Sequence, residues 1–181
     1  MEGKLVLVSG HCAAGKSAFA DRLSAELGIL CFRKDRVKET LGEGLGPTGG
    51  AVYEKGSAAA FVLLEYILEE CLKAGTPCIL EGNFRPAELE RVEVFLERYG
   101  GRCLSFFFTG DMAVLYRRYR DREKERHWVH KSAGDSPEDF AAGQARLGEK
   151  LPGEALLVDT TDFSRGDYSG LLTTVRAFLV G

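Results

Sequence analysis

Proline and methionine are scarce in this 181-residue chain, with five of one and two of the other, and tryptophan occurs once. No proline-rich, serine-rich or like-charge tract is present, which excludes an extended disordered tail or linker. No apolar run, Ala58 to Leu64 included, approaches the roughly 18–20 residues that span a bilayer, so no membrane partner is expected. The opening Met1-Glu2-Gly3-Lys4 leads straight into an apolar strand without the features of a signal peptide, and the expected location is the cytoplasm. Five cysteines form an odd, scattered set, with Cys31, Cys78 and Cys103 in apolar surroundings. They read as reduced core thiols rather than a disulfide framework or a zinc site. Charge of neither sign dominates, since 24 Lys and Arg stand against 27 Asp and Glu, and the net of −3 argues against a dedicated nucleic-acid binder. No internal repeat is visible.

What is there is globular in type: 45% hydrophobic and 28% charged, enough to bury one core and short for two. A single domain over 1–181 is expected, as a monomer or homodimer. Lys4 to Ser9 is a short apolar, β-branched run that predicts a buried parallel strand. Lys16 to Leu27 carries Phe19, Leu23 and Leu27 on one helical face, and Gly28 closes it. Further strands are predicted at Ile29–Phe32, Cys78–Leu80, Cys103–Phe108 and Leu156–Val158. Helices are predicted over Val52–Ala74, Pro86–Tyr99, Asp111 to about Arg126, from Ser136-Pro137-Glu138 onward, and over Tyr168–Val180. Leu41 to Gly50, with five glycines and Pro47, reads as a loop. Strands alternating with helices imply a mostly parallel sheet covered on both faces, with ligands at the carboxyl ends of its strands.

The first strand runs into Gly10-His11-Cys12-Ala13-Ala14-Gly15-Lys16-Ser17, a full GxxxxGK-Ser/Thr phosphate loop in strand-to-helix context. Gly10 and Gly15 permit backbone geometry and close approach that a Cβ would block, so that successive amides can surround phosphate oxygens. The helix start adds its positive end. Lys16 can reach the terminal phosphates and the Ser17 hydroxyl can ligate magnesium, giving an expected ATP and Mg2+ site. The variable residues His11, Cys12, Ala13 and Ala14 complete the cradle, with no catalytic part for the side chains of His11 and Cys12.

Two further strand ends carry acids. Asp35, after the second strand, can cap the following helix, or orient an acceptor hydroxyl and take its proton. Glu81, ending the third strand, can hold magnesium through water, bind substrate hydroxyls, or pair with an arginine. Asn83 and Arg85 follow as substrate contacts. From Asp111 to Lys131 seven basic residues face four acids, reversing the sign of the chain as a whole. Arg118, Arg122 and Arg126 recur every four residues and share a helical face. Arg122 and Arg126 are the preferred sources of charge for a transferring phosphoryl group. The lid is expected over about 118–135, with His127 and His130 in packing or phosphate contacts.

The order of these elements, with KDRVKE after the second strand, ILEGNF ending the third and RRYRDREKERHWVH in the lid, resembles the small P-loop kinases of the zeta-toxin, chloramphenicol phosphotransferase and polynucleotide kinase group. The resemblance covers nearly the whole chain. It implies a three-layer P-loop NTPase fold whose five-stranded parallel sheet has the order 2-3-1-4-5. It assigns the general base to Asp35 and the phosphate-stabilising arginines to Arg122 and Arg126. EGNFR looks like the zeta-toxin EGTLR element, which places Glu81 and Arg85 on the substrate side, with Asn83 in place of its Thr; Lys38 is a further expected substrate contact. Asp159-Thr160-Thr161 resembles the loop near which these kinases hold adenine, hence Thr160. The implied activity is ATP- and magnesium-dependent phosphorylation of a small-molecule hydroxyl, such as a sugar, nucleoside or antibiotic-like acceptor. A polynucleotide 5′-hydroxyl kinase and a non-catalytic nucleotide switch remain as alternatives.

Overall fold

The computed structural model describes residues 2–46, 51–130, 132–147 and 150–181, with backbone alone at 51–54 and 165. Five parallel strands form one sheet: β1 (Lys4–Gly10), β2 (Leu30–Arg33), β3 (Cys78–Glu81), β4 (Arg102–Thr109) and β5 (Glu154–Asp159). Their order is β2-β3-β1-β4-β5, as the resemblance implied. Parallel neighbours require crossover connections, and here helices provide them: α1 (Lys16–Leu27), α2 (Lys34–Leu45), α3 (Ala51–Ala74), α4 (Pro86–Tyr99), α5 (Met112–Asp121) and α6 (Pro137–Gln144), while α7 (Tyr168–Val180) follows the last strand.

The apolar run of β1 serves two cores because successive side chains of a strand point to opposite faces. Val6 and Val8 pack with Phe19 and Leu23 of α1, Phe106 of β4 and Val175 of α7. Leu5 and Leu7 pack with Leu64 and Leu68 of α3, and with Leu89 and Val92 of α4. All four β1 residues are fully buried, whereas Leu30 and Leu157 on the two edge strands are largely exposed. The centre of the sheet is therefore where β1 ends. Among the described residues no helix is long and apolar enough to cross a membrane. The five cysteines are free; Cys78 and Cys103 are buried, while Cys12, Cys31 and Cys71 are only half-buried.

Three local expectations need correction. The stretch from Leu41 is not a loop up to residue 45: α2 continues to Leu45, and Gly46 caps it with φ 70°. Residues 47–50 of that expected loop lie outside the described residues. Gly42 stays helical because it is a notch, not a turn: a Cβ there would collide with the Val129 side chain and lie 3.4 Å from Trp128. Second, Asp35 does not cap its helix. Arg33 holds the cap position and no side chain bonds there, which leaves Asp35 in the first turn. Third, the helix from Asp111 stops at Asp121, and Arg122 (φ −101°, ψ 0°) leads into a 3-10 turn over Glu123–Glu125. Arg118 and Arg126 therefore do not share one continuous helical face.

At the end of β1 the backbone passes so near β4 that only glycine fits. Gly10 has φ 124°, and a Cβ on it would collide with the Phe108 carbonyl oxygen. Gly10→Ala is expected to destabilise the protein by at least about 2 kcal/mol, by strain and overlap together. Urea unfolding measures this, and an unchanged midpoint would mean that the loop can shift away from β4.

Candidate functional site

The loop 10–17 connects β1 to α1 with Ala13 (φ 61°) and Gly15 (φ 86°) in left-handed geometry. Such alternation turns successive amides to one side and makes an anion-binding concavity, to which the start of α1 adds its dipole. The His11 amide donates to the Phe108 carbonyl (2.8 Å), which anchors the loop to β4. The Cys12 amide donates to Oε1 of buried Gln144 (2.8 Å) on α6. Lys16 folds back over the loop, its Nζ donating to the His11 carbonyl (2.6 Å).

Above this loop lies a cavity of about 310 Å3. Its floor is Cys12, Ala13, Lys16 and Ser17; one wall is Asp35 and Glu39 of α2; the β3 end contributes Glu81 and Asn83. The roof is the segment after α5, with Arg122, Arg126, His127 and His130. Most of the predicted site residues thus converge: Cys12, Ala13, Lys16, Ser17, Asp35, Glu81, Asn83, Arg122 and Arg126 all line one space. Gly10, His11, Ala14 and Gly15 belong to the loop itself. The His11 ring turns away, its Nδ1 3.1 Å from Thr109 Oγ1 and its edge on Phe107.

Two expected substrate contacts do not reach the cavity. Arg85 is exposed at the N-cap of α4, where its amide donates to Glu88 (2.8 Å) in a capping box. Lys38 is buried in α2 away from the cavity lining. Both look like substrate cations in one-letter text because helix facing is settled by packing. Thr160 lies on the other side of Gly15, in a second cavity of about 380 Å3 with Phe108, Phe163 and Tyr168. The Thr160 amide and hydroxyl both donate to the Thr109 carbonyl, each at 2.8 Å. Arg118 secures this loop by donating to the carbonyls of Thr160 (2.7 Å) and Thr161 (3.1 Å) and stacking 3.9 Å from the Phe163 ring centre.

Tyr119 carries no motif that marks it as a site residue, yet it lines the cavity. Its hydroxyl accepts hydrogen bonds from Arg126 Nη1 and from the Ala133 amide, both at 2.8 Å. One phenol thereby draws both sides of the lid turn together. His130 Nε2 lies 2.9 Å from Glu39 Oε1 and His127 Nε2 3.8 Å from Glu43, so the lid is clasped to α2. An i, i+4 acid pair one turn after Asp35 was the available signal for Glu39. Lys131 of the expected lid lies outside the described residues.

Glu81 is 4% exposed at the last position of β3. Burial pushes its carboxyl up to about 7; nearby Lys16 opposes the rise, Asp35 adds to it, and a hydrogen bond with Ser17 opposes it. Ser17 and Glu81 offer hard oxygen donors side by side next to the phosphate loop, a set that fits magnesium shared with phosphate and water. Among the described residues no three His, Cys, Asp or Glu side chains converge as a metal-binding group, so this pair fits only a metal that a bound phosphate helps to hold.

A family model described as an AAA domain matches residues 5–144. The chain belongs to that family. This AAA-domain chain resembles a candidate kinase from Chloroflexus aurantiacus j-10-fl, with a TM-score of 0.86 at 27% identity over 98% of each chain. A gluconokinase from Sinorhizobium meliloti 1021 shares the fold, with a TM-score of 0.62 at 14% identity over 98% of this chain and 92% of that one. So does the Mycobacterium tuberculosis APS kinase CysC, solved with AMPPNP and APS, with a TM-score of 0.62 at 17% identity over 99% of each. No curated protein matches the sequence. The architecture is that of a P-loop NTPase or kinase, and its structural neighbours are kinases.

The Glu81 shift has a thermodynamic consequence in nucleotide-free protein held in EDTA. A carboxyl raised from 4.5 to about 7 keeps its proton when folded over a pH range where the unfolded chain has lost it. Stability should therefore fall as pH rises from about 4.5 to about 7, by at most about 3 kcal/mol. Glu81→Gln should remove that slope and be the more stable protein at pH 8. Denaturation midpoints for both proteins between pH 5 and 8 provide the check.

Proposed function

We propose that the chain is an ATP- and magnesium-dependent kinase that transfers the γ-phosphoryl group to a hydroxyl of a small molecule. The observation that carries this reading is the pairing of Asp35 with Arg122 and Arg126 across one cavity whose floor is Lys16 and Ser17. A binding switch needs only the floor. An acid at one wall and two guanidinium groups above it are what phosphoryl transfer adds, because that reaction needs acceptor orientation and dispersal of charge more than covalent chemistry. Asp35 makes no capping hydrogen bond, which leaves capping as a poor account of its presence.

In this mechanism the amides at the α1 end of the loop, from Gly15 to Ser17, and the Lys16 side chain hold the β- and γ-phosphates, and the adenine lies toward Thr160. Ser17 and Glu81 would hold magnesium, which when bound offsets negative charge on the phosphates. Asp35 orients the acceptor hydroxyl and receives its proton as the acceptor oxygen forms a bond to the γ-phosphorus. The bond from that phosphorus to the β–γ bridging oxygen breaks, and its electron pair leaves with ADP. Arg122 and Arg126 stabilise the charge on the moving phosphoryl group. Arg126 is pre-positioned by Tyr119, so it reaches the transition state with little ordering left to do. Likeness to the zeta-toxin, chloramphenicol phosphotransferase and polynucleotide kinase group, and the kinases among the structural neighbours, support the same reading.

Asp35→Asn keeps the side chain's shape and removes its proton acceptor. ATP affinity by calorimetry should stay near that of the parent, while phosphate transfer falls by roughly 100-fold to 10,000-fold. The assay is transfer from labelled ATP across sugars, nucleosides, antibiotics and 5′-hydroxyl oligonucleotides. Full activity in Asp35→Asn would remove the residue as base, and transfer to oligonucleotides alone would favour the polynucleotide reading.

Arg126→Ala should lower turnover more than ATP affinity, because its charge counts most as the phosphoryl group moves. Arg120→Ala is the comparison, since Arg120 pairs with Glu123 at 2.8 Å and does not line the cavity. Equal kinetic losses in the two would dismiss the assignment of Arg126.

A further inference from the structure

We infer that Glu39 determines acceptor specificity by taking a second hydroxyl of a polyhydroxylated acceptor that carries no negative charge. The inference rests on the kinase reading above and concerns the acceptor end of the same cavity. Asp35 and Glu39 are one turn apart on α2 and both line that cavity. Residues at this spacing have Cβ atoms about 5–6 Å apart, a span that matches two hydroxyls on nearby carbons of one small sugar or cyclitol. If Asp35 holds the reacting hydroxyl, Glu39 is placed to accept from its neighbour.

The distribution of cations gives the charge of the acceptor. Lys16 belongs to the phosphate floor, and Arg122 and Arg126 are the guanidinium groups of the roof. Among the described residues, the other Lys and Arg side chains of α2 and its flanks do not line the cavity. Lys34 pairs with Glu88 under the rings of Phe61 and Phe84. Arg33 pairs with Asp21 (2.9 Å), and Arg36 bridges Glu39 (3.2 Å) and Glu43 (3.6 Å), neither lining the cavity. Lys38 and Arg85, as shown above, do not line it either. An acceptor carboxylate or phosphate at this end would face Asp35 and Glu39, a like-charge arrangement that selects against it. Hydroxyls find acceptors there, and Asn83 supplies an amide beside them.

Glu39 is also equipped to remain ionised. Burial raises its carboxyl, but hydrogen bonds from His130 and Arg36 outweigh that and hold it below the ordinary range. The His130 contact uses Oε1 and the Arg36 contact Oε2. Each oxygen keeps a second lone pair for a ligand.

The experiment is a cycle between protein and acceptor. Labelled ATP is offered with neutral polyols, amino sugars, sugar acids and monohydric alcohols, and the best polyol is then compared with its analogue lacking the hydroxyl next to the reacting one. Glu39→Gln should raise the KM for the polyol by about 10-fold to 100-fold, the factor for one hydrogen bond to a charged group. That penalty should largely vanish on the deoxy analogue. His130→Asn, which loosens the lid but keeps the carboxylate, should affect both acceptors alike. An equal Glu39→Gln penalty on both would reduce Glu39 to a lid clasp and overturn the inference. Transfer confined to sugar acids or monohydric alcohols would overturn it while leaving the kinase reading in place. ATP binding with transfer to no acceptor would instead overturn the kinase reading and this inference with it.

Discussion

The contact between Gly10 and the Phe108 carbonyl decides how the chain leaves the sheet. Because β1 is buried on both faces between β3 and β4, its carboxyl end cannot move sideways, and the next residues must turn upward from a fixed point. A Cβ at Gly10 would push the strand end away from β4 and break the 2.8 Å bond from the His11 amide to Phe108. The position of Lys16, of Ser17 and of the start of α1 follows from that single approach. So does the meeting of Ser17 with Glu81, since β3 is registered on β1 with Val8 opposite Glu81.

A second layer of constraint lies in the lid. Polar anchors hold the segment after α5, where the lid is expected: the Tyr119 hydroxyl gathers Arg126 and Ala133, and Glu39 and Glu43 receive His130 and His127. Val129 is fully buried against the notch at Gly42 and, with Trp128 beside it, supplies an apolar anchor of that turn. The glycine costs α2 about 1 kcal/mol of helix propensity relative to alanine, and close seating of the lid on α2 is what it provides in return.

The cavity so enclosed is divided by charge. Lys16 sits at the floor and Arg122 and Arg126 at the roof, with Glu125 beside them, while the other carboxylates sit on the α2 wall and at the β3 end. Burial of Glu81 among these groups raises its carboxyl to about 7, so its charge is sensitive to what binds beside it. In the proposed kinase this division separates donor from acceptor, because a phosphate-rich group is attracted to one end and repelled by the other.

The phosphate loop was legible in the sequence because its glycines, lysine and serine do their work through local backbone geometry, which a short motif can encode. Glu81 was legible for a related reason: an acid that directly ends an apolar run marks the carboxyl end of a buried strand. Strand order came through resemblance, since spacing does not say which strand lies beside which. Tertiary packing alone decided the rest. Gly42 and Gly44 suggest a loop until the lid fills the notch at Gly42, and the arginine periodicity suggests one helix until the Tyr119 hydroxyl captures Arg126 and Ala133 across the turn. Lys38 and Arg85 read as substrate cations but do not line the cavity, whereas Glu39, which no motif marks, does. Sequence determines which groups are available and which local turns they make; which side of a helix meets the cavity depends on distant neighbours that no local pattern contains.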